Sequence, residues 1–367
     1  MTAQHDAIAS GIPGITFRPL GFPTTLGEPG GADIAALTEV RNRMYREING
    51  TDDEDITPEY LLALYQPSPD EDRLVWIVED GGSAIGRIGV DIPHEDGSRS
   101  AYALIELLRS AQGRGIGRAA HALIESAVRE AGRSVIQTWA QHNDAPGERL
   151  DAPTGFGSIP RDRDARFLEQ AGYSLEQIER RSALDPRASA AHVDALLTEA
   201  RAAAPDYRVV TWTLPTPAEH VAGYAHMKER MSTDVPTAEL EVDAETWDAE
   251  RVARHDARYL EGGQTCQVTA AQHVESGELV AYNELVISED RTRPTSQEDT
   301  LVIAEHRGHR LGQLVKCAGL VAWRDIAPET RKIITYNAEE NRPMLDINER
   351  IGFTPEVYIG AWKKVLA

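Results

Sequence analysis

The chain is poor in cysteine, lacks long apolar runs and carries far fewer basic than acidic residues. Its two cysteines, Cys266 and Cys317, lie in different kinds of segment and without metal-ligand spacing. A disulfide framework or a metal site is therefore not expected, and a reducing cytoplasm fits the sequence. No apolar run approaches the roughly 18 residues that span a bilayer. Because the opening "MTAQHDAIASGIPG" also lacks the features of a secretory signal, we predict a cytoplasmic protein without a membrane partner.

The excess of acidic over basic residues excludes some classes of binding partner. The chain has 38 Lys and Arg residues against 59 Asp and Glu residues, which gives a formal net charge of −21. Such a field repels nucleic acid and anionic membranes from most of the surface. In so acidic a chain the arginines Arg109, Arg114 and Arg118 stand out. Two interpretations stay open for them, an anion site or an ordinary solvated helix start.

Two similar halves account for the 367 residues. An alanine-rich segment bounded by Pro186 and Pro205 reads as a connecting helix. On either side, a short β-rich run is followed by polar helical segments, two strand-like runs, a third apolar run, an amphipathic helix, another strand and another helix. The first half alone contains the Gly/Pro-rich insertion "DAPGERLDAPTGFGSIPRD". We therefore predict a duplication, with domains at 12–185 and 206–367 and a helical linker at 186–205.

The stretch "SAQGRGIGRAAHALIESAV" places three glycines between an apolar strand and an amphipathic helix. The first N–H groups of a helix have no partner within it and lie at the positive end of its dipole, so they form a site for phosphate. Glycine at 115 and 117 removes Cβ atoms that would hold such a ligand away. The spacing fits neither a P-loop, which needs a following lysine, nor a dinucleotide fingerprint, because Arg118 stands at the third glycine position.

The segment Gln112–Gly117 fully matches the pattern [Q/R]-x-x-G-x-[G/A] after an apolar strand. In this motif the chain resembles the GCN5-related N-acetyltransferases, here in tandem. The segments "RFLEQAGY" and "NAEENRPMLDINERIGF" resemble the strand and helix on the far side of the family's acyl-carrier cleft. The resemblance covers nearly the whole chain apart from the linker. It implies an α+β fold in which a mixed, mostly antiparallel sheet is flanked by helices in two tandem domains.

The resemblance further implies that acetyl-CoA, or another acyl-CoA, is the donor and that no metal is needed. The implied contacts are the strand ends, the two glycine loops and two later asparagines: Leu107, Leu108, Gln112, Gly113, Arg114, Gly115, Ile116, Gly117 and Arg118 in the first half, and Val302, Ile303, Arg307, Gly308, His309, Arg310, Leu311, Gly312, Asn337 and Asn341 in the second. The second loop departs from the pattern, because Arg310 replaces the middle glycine. For this second loop we favour retained but weaker binding of acyl-CoA over loss of binding.

Catalytic residues are harder to assign. The family's tyrosine acid falls on Leu168 and Asn348, and the glutamate base of one branch falls on Ala101 and Ser296. Asn348 can donate a hydrogen bond to sulfur but cannot protonate it. The candidates taken from the sequence are Glu106, Asp299, Tyr336 and Asn348, with Tyr102 and Glu298 nearby. Asp299 is expected at a cleft entrance if its strand starts at Thr300. For each strand residue, an exposed or core-packed structural role stays open, and Cys317 reads as core.

The sequence therefore predicts an N-acetyltransferase that moves an acetyl group from acetyl-CoA to a primary amine of a small molecule without a covalent enzyme intermediate. A non-catalytic acyl-CoA-binding or regulatory protein and a protein-lysine acetyltransferase remain the alternatives. We expect a monomer or homodimer with no nucleic-acid partner.

Overall fold

The computed structural model of the protein describes residues 7–367. The N-terminal half contains, in chain order, β1 (Ile8–Ala9), β2 (Ile15–Pro19), α1 (Gly31–Asn49), α2 (Pro58–Tyr65), β3 (Glu71–Asp80), β4 (Ser83–Pro93), β5 (Ser100–Leu107), α3 (Ile116–Glu130), β6 (Val135–His142), β7 (Arg149–Asp151), β8 (Ser158–Pro160), α4 (Arg163–Gln170) and β9 (Ser174–Leu184). The small hairpin of β7 and β8 lies in the insertion that the sequence places in the first half only.

The C-terminal half repeats this order without the hairpin. It contains α5 (Ala190–Ala203), β10 (Tyr207–Thr213), α6 (Ala218–Asp234), α7 (Ala249–Glu261), β11 (Gln264–His273), β12 (Leu279–Ser288), β13 (Thr295–Val302), α8 (Leu311–Ile326), β14 (Ile333–Ala338), α9 (Arg342–Ile351) and β15 (Thr354–Val365). Local signals start several of the helices: the Thr57, Asp162 and Asp248 side chains each accept a hydrogen bond from a backbone N–H of the first turn.

One continuous sheet joins the halves. Its thirteen strands run in the order β1-β2-β3-β4-β5-β6-β15-β9-β14-β13-β12-β11-β10. Neighbours are antiparallel except for β5 with β6 and β13 with β14, which are parallel. The expected α+β class, with a mostly antiparallel sheet flanked by helices, is confirmed.

Helices cover both faces of the sheet. Val75 and Ile77 of β3 pack with α1 and α2, whereas the alternate residues Trp76 and Val78 pack in the cluster that contains α3. Since successive strand residues point to opposite faces, α1 and α2 lie on one face and α3 on the other. In the second half, Glu284 contacts α6 while the preceding residue, Asn283, lies against α8. The same two-sided arrangement is therefore repeated.

The last strands of the two halves are exchanged. β15, the last strand of the chain, pairs with β6 of the first half along its length, from Tyr358 opposite His142 to Val365 opposite Val135. β9, the last strand of the first half, pairs with β14 of the second half. Each half thus completes its sheet with a strand of the other, and both strands lose the free edge they would otherwise expose.

The connecting helix α5 is part of the second core. Its Val193, Leu196, Leu197 and Ala200 are buried in the cluster that also contains Leu311 and Leu314 of α8. The segment 186–205 therefore contains a helix, as expected, although the domain bounds at 12–185 and 206–367 stay a prediction. None of the described helices combines the length and apolarity needed to cross a membrane.

The structure corrects one boundary. The strand expected to start at Thr300 begins at Thr295, so Glu298 and Asp299 lie inside β13 rather than before it. The run "TSQED" has no apolar alternation, and its pairing with β12 and β14 fixes it as a strand nonetheless.

Candidate acyl-carrier sites and buried charge clusters

The first glycine loop connects the end of β5 to the start of α3. Leu108 continues the strand ladder, because its N–H donates to the carbonyl of Ile85 at 3.0 Å. The Gln112 side chain then folds back, and its Nε2 donates to the Leu107 carbonyl at 3.0 Å. Gly113 and Gly115 have positive φ angles of 76° and 84°, a conformation that glycine adopts without steric cost. The leading glutamine of the motif therefore holds the loop against the strand end.

The backbone amides of this loop form a cradle of N–H groups that point away from the protein's own acceptors. Among the hydrogen bonds of residues 7–367, none is donated by the N–H groups of residues 113–117. These groups surround the first turn of α3, whose dipole adds positive potential there. The arrangement fits a phosphate or pyrophosphate, as the sequence predicts.

The second glycine loop has the same construction. Ile303 N–H donates to the Val280 carbonyl at 3.1 Å, and Arg307 Nε donates to the Val302 carbonyl at 3.1 Å. Gly308 has a φ of 91°, and Arg310 adopts the left-handed conformation at φ 57°. The second loop thus keeps its backbone shape despite Arg310 at the position of the middle glycine.

The last glycine of each loop is packed against the helix that follows the next strand. A Cβ atom on Gly117 would lie 3.5 Å from the Phe167 ring, whereas one on Gly312 would lie only 2.9 Å from Ile347 Cδ1. A Cβ at 312 would therefore require the terminal methyl of Ile347 to shift, whereas one at 117 would make only an ordinary contact beside α4.

Cationic side chains surround both loops, and several of them already have partners. Arg114 Nη1 lies 2.7 Å from Asp80, and the Arg109 guanidinium donates to the backbone carbonyl of Glu47 at 2.8 Å. In the second half, Arg310 lies 3.5 Å from Glu199, and His306 Nδ1 lies 3.0 Å from the Tyr207 hydroxyl. These partners compete with a ligand for the side chains, whereas the backbone N–H groups of the first loop have none within the described part of the chain.

A V-shaped gap opens in the sheet in front of each loop. β5 and β6 are paired only at Ser100, Ala101 and Tyr102. β13 and β14 are likewise paired only from Thr295 to Gln297. Beyond those points each strand pair separates toward the loop end, leaving backbone groups free to bind an extended chain.

Glu106, a candidate base, is enclosed in an ion pair. Arg87 donates to it from both Nε and Nη2, the second contact being 2.9 Å, and Arg87 Nη1 also donates to the Tyr65 hydroxyl at 2.6 Å. Burial opposes ionisation of Glu106, but Arg87 outweighs it and holds the pKa of this carboxyl below its usual value. The paired carboxylate is poorly suited to take a proton from a substrate.

Asp299 belongs to a cluster of charged groups under α6. Lys228 Nζ donates to Asp299 at 2.7 Å and to Glu284 at 3.3 Å, and the Tyr282 hydroxyl donates to Asp299 at 3.0 Å. A β-bulge shapes this cluster: Asn283 is opposite Thr300 and Leu285 is opposite Gln297, so two residues of β13 face Glu284 alone. The β4–β5 pair has no such bulge.

The two carboxyls of this cluster differ in exposure and in pKa. Burial raises the pKa of Glu284 to about 7, whereas for Asp299 the neighbouring Lys228 outweighs burial and lowers the pKa. The Asp299 side chain is 31% exposed and that of Glu284 only 1%. Together they can hold a proton near neutral pH, with Asp299 on the accessible side.

Tyr336 and Asn348 lie on different sides of the sheet. The Tyr336 hydroxyl donates to Glu54 at 2.7 Å, and burial together with Glu54 raises its pKa above the usual value. Asn348 donates from Nδ2 to Asn337 Oδ1 at 2.7 Å beneath α9, while Asn341 caps α9 by accepting from Met344 N–H at 3.4 Å. The asparagines are thus brought together, and Tyr336 is separated from them.

Sequence reasoning missed Arg87, Lys228 and Glu284. A signal existed for two of them, because Arg87 and Glu284 interrupt the otherwise apolar runs "AIGRIGVDI" and "LVAYNELVI". A charge in such a run predicts a buried partner. Cys317 is fully buried, as expected of a core residue.

Comparisons with known proteins find similarity to acetyltransferases, both in sequence and in fold. Residues 34–150 match the family model described as the acetyltransferase (GNAT) family. A tandem GNAT protein from the clavulanic acid biosynthesis pathway, solved without AcCoA, is 22% identical and has a TM-score of 0.72, with 96% of this chain and 98% of that chain covered. No curated protein matches the chain.

More distant solved structures share the fold. A GCN5-related N-acetyltransferase from Sphaerobacter thermophilus is 13% identical with a TM-score of 0.57, covering 92% of this chain and 94% of that one. A putative acetyltransferase from Pyrococcus horikoshii is 12% identical with a TM-score of 0.55, covering 100% and 94%.

Proposed function

Since the chain is a tandem GNAT-fold protein whose residues 34–150 match the acetyltransferase (GNAT) family, we propose that it transfers an acetyl or other acyl group from acyl-CoA to a primary amine of a small molecule. The observation that carries this proposal is the double occurrence of a loop with free amides above a V-shaped gap in the sheet. A pyrophosphate at the helix start and an extended chain in the gap suit these two features.

The residues present fit the proposed co-substrate in both halves. Acyl-CoA would supply an acyl group already activated as a thioester. In the first half, Gly113–Gly117 would hold the pyrophosphate, and the free strand backbone near Leu107 would hold the chain. In the second half, Gly308–Gly312 would do the same near Val302, because Arg310 leaves the backbone shape unchanged.

The amine must lose a proton before it can attack, because a primary ammonium has a pKa near 10. In the second half we assign this proton to the Asp299–Glu284 pair: Asp299 is the accessible carboxyl, and Glu284, whose pKa is raised to about 7, is the member able to hold the proton. Tyr336 is the proposed hydrogen-bond donor to the departing thiolate. Its raised pKa keeps the hydroxyl protonated at neutral pH and at the same time disfavours full transfer of the proton. No nucleophilic side chain is assigned, which agrees with direct transfer.

Binding of acetyl-CoA tests the first part of the proposal. Calorimetry with the full chain is expected to show two sites, the weaker one in the second half. Gly115→Trp fills the first cradle and Arg310→Glu places a negative charge at the second, so each variant should lose one site. Absence of binding to the unmodified chain would exclude the co-substrate assignment.

A second candidate is a protein that binds acyl-CoA without turnover. The enclosure of Glu106 by Arg87, together with Leu168 and Asn348 at the positions of the family's acid, favours it. Release of free CoA thiol, measured across a panel of small primary amines, separates the two functions. A binder without activity releases no thiol above the rate of hydrolysis with any amine, whereas Asp299→Asn should abolish amine-dependent release by the second half of an active enzyme.

A further inference from the structure

Each half sends one loop across the sheet onto the other half. Residues 50–57, between α1 and α2, reach strands β9 and β14 and the segments just before β13 and β14. Residues 235–248, between α6 and α7, reach β5 and β6, where the Gln137 side chain forms two hydrogen bonds of 2.8 Å with the backbone N–H and C=O of Glu241. We call these segments the first and second crossing loops.

The two crossing loops make unequal contacts. The first is bound by a dense set of ion pairs: Asp52 lies 2.5 Å from Arg293 and 2.6 Å from Arg331, Asp53 lies 3.0 Å from Lys332, and Glu54 lies 2.7 Å from Arg181. The second crossing loop instead borders an open cavity of about 430 Å³. The first crossing loop crosses the sheet and is held by ion pairs, so crossing alone does not explain the cavity beside the second crossing loop.

This cavity, which we call the junction cavity, is lined by both halves. Tyr102 contributes from β5, His255 from α7, and Asp243, Glu245 and Trp247 from the second crossing loop. Tyr102 is the last residue of β5 that pairs with β6, so the cavity lies at the vertex of the first V-shaped gap. The Tyr102 ring also lies 5.8 Å from that of Trp139, a residue of β6 that is 41% exposed beyond the vertex.

Most charges around the junction cavity are compensated. Arg251 lies 2.7 Å from Glu95, Arg254 lies 2.7 Å from Asp70, and Glu245 accepts from Trp247 Nε1 at 2.6 Å. Asp243 is different: its Oδ2 is buried and has no hydrogen-bond partner among the described residues. A buried carboxylate oxygen without a donor is costly unless a ligand supplies one.

The groups that face Asp243 are compatible with a bound cation. Burial, followed by Asp243 and Glu245, raises the pKa of the Tyr102 phenol to about 12, so both carboxylates lie near its hydroxyl. Burial lowers the pKa of His255 to about 4, which leaves its ring neutral at physiological pH. The ring of Trp247 adds apolar surface, and its interaction with cations is already taken up by Arg251 at 4.9 Å and Lys228 at 5.4 Å from the ring centroid. An anion would meet Asp243 without compensation, whereas Glu245 is already paired with Arg251 at 3.5 Å and with Trp247 Nε1.

We propose that the junction cavity binds the amine acceptor as its ammonium ion, with Asp243 as the carboxylate partner. The inference rests on the proposed function in one respect, that the ligand is the acyl acceptor. It places the acceptor that reacts in the first gap at the boundary between the two halves, where it contacts a loop of the second half. It also assigns the substrate class as a small primary amine that carries an apolar body for Trp247 and Tyr102.

Direct binding tests the proposal without any co-substrate. The full chain is titrated calorimetrically with phenethylamine, with its neutral N-acetyl derivative, and with phenylacetate. Phenethylamine should bind at least tenfold more tightly than the neutral derivative, and phenylacetate should not bind. Equal binding of the three probes, or no binding of phenethylamine, would overturn the proposal.

Matched variants locate the site. Asp243→Asn should weaken phenethylamine binding at least tenfold, and Asp243→Glu should restore most of it. Glu239→Gln removes the same charge from an exposed position of the second crossing loop and should change the affinity less than twofold. Equal effects of Asp243→Asn and Glu239→Gln would show that only the general acidity of the loop matters and would refute the assignment of Asp243.

Kinetics separate this inference from the proposed function. In an Asp299→Asn background, where only the first half can act, Asp243→Asn should raise KM at least tenfold and change kcat less than threefold with any amine that still supports thiol release. Thiol release with an unchanged KM would refute the junction cavity while the transferase activity stands. Binding of phenethylamine that depends on Asp243, without thiol release from any amine, would refute the activity while the ammonium site stands.

Discussion

Arg310 adopts the left-handed backbone conformation that Gly115 adopts at the equivalent position of the other half, with φ angles of 57° and 84°. A residue with a Cβ atom bears a steric penalty in this region that glycine does not. The Arg310 side chain gains only an exposed contact of 3.5 Å with Glu199, which contributes little. The second loop has thus kept its shape at a cost in stability.

Replacing Arg310 should therefore stabilise the protein. Arg310→Gly is expected to raise the free energy of unfolding by about 1 kcal/mol, because it removes left-handed strain. Urea unfolding measures the change. Arg310→Asn should give part of the gain, since asparagine tolerates this conformation, and Arg310→Ala should give none. A loss of stability in Arg310→Gly would mean that the side chain has a contact of greater value than the strain.

The opposed shifts of Glu284 and His255 predict compensating pH effects. The folded-state pKa of Glu284 is raised to about 7, so its contribution to stability is present at low pH and lost as pH rises from about 4.5 to 7. The folded-state pKa of His255 is lowered to about 4, so its contribution is present above pH 6.5 and lost as pH falls toward 4. Each change amounts to about 3 kcal/mol, and they cancel over most of this range.

Single variants should separate these two opposed contributions to the pH dependence of the free energy of unfolding. In Glu284→Gln, stability should increase with pH between 4.5 and 6.5 relative to the unmodified protein, because the contribution of His255 is no longer offset by that of Glu284. In His255→Gln, stability should decrease over the same interval. Urea unfolding at several pH values measures both slopes. Parallel slopes in the two variants would contradict the assignment of opposite shifts.

The exchanged strands predict that the halves depend on each other. Residues 1–205 alone lack β15, the neighbour of β6, and residues 206–367 alone lack β9, the neighbour of β14. Each fragment should be unfolded or aggregated when expressed separately, and the two should form a folded one-to-one complex when refolded together. Circular dichroism and size-exclusion chromatography measure this. Two fragments that fold independently as monomers would contradict the exchange.

Replacement of the buried Lys316 should stabilise the folded protein. Its side chain is 1% exposed, and within residues 7–367 no ion pair or hydrogen bond of its ammonium is found. Burial lowers its pKa to about 7, so stability is lost as pH falls from about 10.5 toward 7, by about 4 kcal/mol. Lys316→Met should raise the free energy of unfolding at pH 7 by a few kcal/mol and remove this component of the pH dependence. Destabilisation by Lys316→Met, measured in urea, would indicate a partner for the ammonium.

Much of the fold follows from local patterns. The repeated order of elements, the glycine loops and the helix that contains Cys317 all rest on periodicity and turn chemistry within one short segment, and these are the features the structure reproduces. The start of β13 at Thr295 could not be predicted, because Ser296, Gln297 and Glu298 form a strand only through their neighbours.

Long-range relationships were beyond the sequence. β9 and β15 carry equivalent patterns, and nothing in either indicates which half it joins. The same holds for the candidate sites: Glu284 signals a buried charge, but its partner Lys228 is on another element, and Asp243 lies in a polar loop like any other. Their roles arise only when the sheet brings the two halves together.

The position of β15 also sets an order of events during synthesis. The first gap lies between β5 and β6, and the outer neighbour of β6 is formed by Thr354–Val365, a strand made long after β6. The sheet edge of the N-terminal half therefore stays open until β15 has been synthesised. The first cleft matures late although its own strands are made early, so a stop codon before Thr354 would damage the earlier-made half of the protein.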